Sequence, residues 1–135
     1  MPKTITQKQT YDTTPNKLYN FYMNTKLHTE ITGEKTIISK EISSTMSAGG
    51  KYIKGKILHL KPNKMIVQTW RASDWTKEDP DSVLILTFSK NEDETTLMTM
   101  VHANVPDNKF EELKKGWKEH YWSKWKKYIK NKGGK

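Results

Sequence analysis

The 135-residue chain has no cysteine and a single arginine, Arg71, beside 23 lysines. Without thiols there is no disulfide, no thiolate nucleophile and no Cys-ligated zinc site, and the redox state of the compartment is not legible. Apolar residues make up only 33%, and no run approaches the roughly 20 residues of a membrane-spanning helix. The start, Met1-Pro2-Lys3-Thr4-Ile5-Thr6-Gln7-Lys8, lacks the apolar core of a signal peptide. A soluble, cytoplasmic, monomeric protein with no membrane partner is therefore expected. The five prolines and seven glycines form no linker-like cluster, so residues 1–135 are expected to make one domain, long enough to close a core.

What the chain does have is aromatic area and an uneven positive charge. Five Trp, six Tyr and three Phe supply large pieces of buried surface. From Phe110 the apolar positions fall at Leu113, Trp117, Tyr121, Trp125 and Tyr128, steps of three and four that define one face of a helix. A helix so aromatic on one side needs a broad apolar surface to lie across. Of the net charge of +9, residues 109–135 contribute +7, from ten Lys against three Glu. Lys115, Lys118, Lys126 and Lys130 are candidates to meet an acidic partner. The alternative is a solvated helix back, which the excess of Lys over Arg favours, because phosphate readers recruit Arg forks.

Residues 3–11 read as an edge strand. Thr14-Pro15 starts a helix with Leu18, Phe21 and Tyr22 inside, Thr14 being able to cap. Thr25 is expected to cap a second short helix carrying Leu27 and Ile31, which Gly33 ends. A strand is expected at 36–42. A hairpin then turns at Lys61-Pro62-Asn63-Lys64, with Leu60 facing Met65, Ile57 facing Gln68 and His59 facing Ile66. Gly55 would make room there for the Trp70 ring. A second hairpin turns at Asn91-Glu92-Asp93-Glu94; pairing Phe88 with Leu97 puts Leu84, Leu86, Phe88, Leu97, Val101 and Ala103 inside, and Met98, Met100 and His102 outside. Asn108 with Glu111 makes a capping box for the last helix, which fades at Gly133-Gly134. Strand, two helices, five strands and one long helix give an α+β fold, a curved antiparallel sheet of about six strands covered by the C-terminal helix, and not a doubly wound sheet.

Catalytic constellations fail on inspection. His28, His59, His102 and His120 have no metal-ligand spacing. The run Gly50–Lys56 mimics a phosphate loop, but Ile57 stands where a Ser or Thr must hold magnesium. Glu78, Asp79 and Asp81 flank Pro80 in what reads as a solvated turn. No enzyme activity, metal or cofactor is expected. What remains is a pocket for an apolar small molecule between sheet and helix, lined by Ile57, His59, Gln68, Trp70, Leu86, Val101, Trp117 and Tyr121. His59, near a strand end, either orients a ligand or reaches water, and its position favours water. The aromatic rings either line such a pocket or fill it.

Several motifs, in order, resemble one family. Thr13-Thr14-Pro15 before Leu18-Tyr19, Gly49-Gly50 before Tyr52, Trp70-Arg71 followed by Trp75, Asp93-Glu94-Thr95-Thr96-Leu97, and Gly116-Trp117 with Tyr121-Trp122 are similar to the family named after the C-terminal domain of the activator of the heat-shock protein 90 ATPase. The resemblance runs from Ile5 to about Ile129. It implies a helix-grip fold like that of the birch pollen allergen and the lipid-transfer START domains. It also implies a chaperone partner, heat-shock protein 90, although in eukaryotic co-chaperones a separate docking domain precedes this one. It carries no fixed catalytic residues. Three roles follow as expectations: a non-enzymatic carrier of a hydrophobic molecule, a co-chaperone stimulating a heat-shock protein 90 ATPase, and, weakest, a nucleic-acid binder using the Lys-rich helix.

Overall fold

The computed structural model describes residues 2–132; the expected helix end at Gly133-Gly134 lies outside them. Six strands, β1 (Lys3–Tyr11), β2 (Thr45–Ala48), β3 (Ile53–Lys61), β4 (Met65–Ala72), β5 (Ser82–Lys90) and β6 (Thr96–Val105), form one antiparallel sheet in the order β1-β6-β5-β4-β3-β2. The expected edge strand β1 is indeed at an edge. Helices α1 (Pro15–Met23) and α2 (Thr25–Thr32) follow it. The C-terminal helix is continuous through α3 (Phe110–Trp117), a wider π-helical turn at Lys118–Trp122, and α4 (Ser123–Asn131). Its aromatic stripe lies along the inner side of the sheet, with Trp117, Tyr121, Trp122, Trp125 and Ile129 buried. The π turn brings Tyr121 and Trp122, adjacent in sequence, inward together.

Three caps differ from expectation. Thr14 turns its hydroxyl to Asn16 Oδ1 and does not cap α1. Asn24 caps α2, accepting from the Leu27 amide at 3.0 Å, with Gly33 in the left-handed conformation at the far end. Asn108 sits in a 3₁₀ turn that runs into α3, so the capping box does not form.

The strand expected at 36–42 does not form. The Thr25 hydroxyl accepts from the Ile38 amide (2.9 Å) and donates to its carbonyl (2.8 Å), and Thr29 does the same for Thr36. Side chains of α2 thus take the backbone groups that a neighbouring strand would have used. Only an isolated bridge, Ile37 to Ser47, remains.

Both hairpin registers are corrected by one residue. In the first, Lys61 pairs with Met65, with Asn63 at φ 64 in the turn, and a bulge at Leu58 restores the expected pairing of Ile57 with Gln68. His59 consequently opposes Val67, not Ile66, and is exposed. In the second, the Asp93 carboxylate takes both the amide and the hydroxyl of Thr95. That lengthens the loop and pairs Phe88 with Met98. A one-residue slip turns every side chain over: Met98, Met100 and His102 are buried, while Leu97, Val101 and Ala103 face outward. Gly55 is explained by another neighbour than expected: a Cβ there would lie 1.9 Å from the Thr69 carbonyl oxygen and 2.8 Å from Gln68 Nε2.

Candidate functional site

Beneath the amino-terminal half of the long helix a half-open cleft of about 570 Å³ remains. Leu113, Gly116 and Trp117 of α3 and Tyr121 of the π turn form its roof; Ile53 and Trp70 form the floor; Gly49 and Tyr52 close the far side. Glu34, Glu112, Lys115 and Glu119 stand at its rim. The two glycines of the turn before Tyr52 both adopt positive φ (59° and 66°), a backbone that glycine takes without steric cost. Tyr52 donates to Asp74 (3.0 Å), which also pairs with Lys109 (3.0 Å). Burial and the Asp74 carboxylate together push the Tyr52 phenol up to about 12, so it stays protonated.

Below the cleft the polar groups satisfy one another. The Trp117 indole N–H donates to His102 Nδ1 at 3.0 Å. His102 Nε2 then carries the ring proton and donates to Ser82 Oγ (2.7 Å), whose hydroxyl donates to the Trp70 carbonyl (2.6 Å). Burial pulls His102 down to about 3, so the ring is neutral. His28 is the opposite tautomer: Nδ1–H donates to the Tyr22 carbonyl (2.9 Å), and Nε2 accepts from the Tyr121 hydroxyl (2.8 Å). Burial lowers His28 to about 4 against the opposing pull of the Tyr22 carbonyl. Burial also raises the phenols of Tyr22 and Tyr121. Tyr22 donates to Gln68 Oε1, and Gln68 Nε2 to the Thr69 carbonyl. Both imidazoles therefore have both nitrogens engaged by the fold, and neither offers a free lone pair to the cleft.

Of the eight residues expected to line a pocket, Trp70, Trp117 and Tyr121 come together on the cleft. Ile57, Gln68 and Leu86 are fully buried in the core below it. His59 and Val101 are on the opposite face of the sheet, because of the bulge and the register slip described above. Lys115 is on the rim, and Lys118, Lys126 and Lys130 are exposed on the back of the helix. Sequence reasoning missed His28 and His102 as buried anchors; the alternation of His102 with Met98 and Met100 is the signal that a correct register would have used. It also missed Ile53, Leu113 and Gly116 as cleft residues, although Leu113 stands one turn before Trp117 on the same stripe.

An open antiparallel sheet held by one long helix over a half-open cleft is the helix-grip architecture. The family model described as Activator of Hsp90 ATPase homolog 1-like protein matches residues 11–130, and the chain belongs to that family. A curated relative, the activator of 90 kDa heat shock protein ATPase homolog of Dictyostelium discoideum, is 29% identical over 118 residues, which are 87% of this chain and 30% of that protein. The chain thus spans about a third of the length of the curated relatives it matches. Among solved structures, an HSP90 activator from Plasmodium falciparum matches with TM-score 0.81 at 21% identity, over 89% of this chain and 91% of that one. The Aha1 dimer from Colwellia psychrerythraea matches with TM-score 0.76 at 15% identity, over 90% and 92%. At these identities the structural likeness speaks for the fold. Among the described residues, no helix is long and apolar enough to cross a membrane.

Proposed function

We propose that the chain is a non-enzymatic binding protein that holds a hydrophobic or amphipathic small molecule under the amino-terminal half of the long helix. The cleft carries this proposal: its volume of about 570 Å³ falls in the range of small-molecule sites, roughly 300–1,000 Å³. Ile53, Trp70, Leu113, Trp117 and Tyr121 give it an apolar interior, and its polar groups stand at the rim. The two buried histidines have their nitrogens committed to the fold, and the histidine that lines the cleft is the exposed His120. Titrating fatty acids, lysophospholipids and flavonoids against tryptophan fluorescence and amide NMR tests it. Saturable shifts at Trp70, Leu113, Trp117 and Tyr121 are expected, and an unresponsive cleft across the panel overturns the proposal.

Family membership favours a second role, stimulation of a heat-shock protein 90 ATPase, with Lys115, Lys118, Lys126 and Lys130 facing an acidic chaperone surface. ATP turnover of the chaperone should rise on adding the protein; unchanged turnover at saturation removes this role. The proposed working unit is a monomer, supported by a net charge of +9 that opposes self-association, and its proposed compartment is the cytoplasm. Sedimentation equilibrium checks the first point, against the dimer described for the Colwellia protein.

A further inference from the structure

The other face of the sheet has no cover among the described residues. The helices pack on the inner side, where Tyr19 of α1 meets Phe88, His28 of α2 meets Tyr121, and Trp117 meets Trp70. On the outer side the registers align a row across the sheet: His59 beside Val67, Val67 beside Ile85, Ile85 beside Val101, and Val101 beside Thr6. Met65 and Val83 extend the apolar strip on either side, and Leu58, pushed out by the bulge, adds a side chain that is 42% exposed. Met65, Val67, Val83, Ile85 and Val101 are half-buried, and together with the exposed Leu58 they form a contiguous aliphatic strip that offers an interaction surface.

The charge around it has one sign. None of the six strands contains Asp or Glu. Lys3, Arg71 and Lys90 pair at the sheet ends with loop carboxylates of Asp107, Asp81 and Glu94. Lys8, Lys54 and Lys56 frame the strip from β1 and β3, are exposed, and have no acidic partner among the described residues. We infer that this face docks an acidic protein surface whose centre is aliphatic, carboxylates meeting Lys8, Lys54 and Lys56 while the apolar centre covers Val67, Ile85 and Val101. A second copy of the chain does not fit, because an isologous contact would set these lysines against one another. Nucleic acid fits poorly: apart from the single imidazole of His59 the strip offers aliphatic side chains and no Trp, Tyr or Phe for bases to stack on, and the one arginine is already engaged by the 76–81 loop.

The test is a methyl and amide NMR titration of the full chain with a short peptide alternating Val and Glu. The comparison ligands are a Val–Lys peptide, a DNA duplex and phosphatidylserine vesicles. Shifts at Val67, Ile85 and Val101 are expected with the acidic peptide alone, with Trp117 and Tyr121 unmoved. Affinity should fall about tenfold from low to high salt. Lys54→Glu with Lys56→Glu, both exposed and outside the core, should weaken binding about tenfold. Ile85→Glu should abolish it while leaving tryptophan fluorescence and the cleft titration intact. No shift on this face, equal binding by the Val–Lys peptide, preference for DNA or vesicles, or dimerisation through the face would each overturn the inference. Because the cleft and this face lie on opposite sides of the sheet, failure of one leaves the other standing.

Discussion

The two halves of the long helix carry the same aromatic stripe and meet different fates. Over α4, Trp125 is fully buried against Tyr11 (5.9 Å), Phe21 (5.7 Å) and Trp122 (5.1 Å), and Ile129 completes a solid core. Its indole N–H has no partner, so packing alone holds the ring. Over α3, Phe110 and Leu113 are only half-buried, Gly116 has no side chain, and Trp117 spans the cleft to reach His102. The difference lies in what sits opposite. Large rings from β1 and α1 rise to meet α4, whereas α3 shares the cleft with Ile53 and with Gly49, which has no side chain to fill it. One half serves stability; the other leaves space.

That contrast can be broken by mutation. Trp125→Ala should cost about 3–5 kcal/mol in urea denaturation; a loss much below this would mean that the α4 half is not tightly packed. Acid should come next. The unfolded chain protonates its histidines near 6.5, the folded chain only near 4 (His28) and 3 (His102). Stability is therefore full above pH 6.5 and falls as the pH drops, by up to about 1.4 kcal/mol per pH unit for each histidine. The interval from 6.5 to 5, above the carboxylate range, isolates this slope, and His102→Gln should remove about half of it. Trp117→Phe leaves His102 Nδ1 buried without a donor and should cost about 1–3 kcal/mol, less than Trp125→Ala because part of the ring already borders space. Gly116→Ala sharpens the comparison from the other side. Its new methyl would find His120 Cδ2 at 3.8 Å, an ordinary contact. Removing a helical glycine over an open cleft should raise stability by about 0.5–1 kcal/mol.

Five of the six strands, the helix stripe and both hairpin turns were legible because each depends on residues close in sequence: steps of three and four from Phe110, Pro62-Asn63, and the acidic turn at 91–94. Register was not. It depends on side chains that enter the backbone ladder, as Asp93 does at Thr95, and on a bulge at Leu58 that nothing local announces. The strand expected at 36–42 has the right composition but lost its backbone to Thr25 and Thr29, a competition visible only once α2 is in place. Of the candidate site, the helix residues and Trp70 were legible because they are large and periodic. His59 and Val101 followed the registers and turned over with them. The cleft is a gap between elements, and no residue type encodes a gap directly.

The two imidazoles have one more effect. Trp117 and Tyr121 stand one turn apart and hand their hydrogens to rings rooted in different places, β6 for His102 and the second short helix for His28. Greasy contacts tolerate a little roll or slide, whereas two donors aimed at two fixed nitrogens do not. The cylinder is keyed like a lock barrel, its rotation and its axial position set together, and the opening beside it inherits a fixed width.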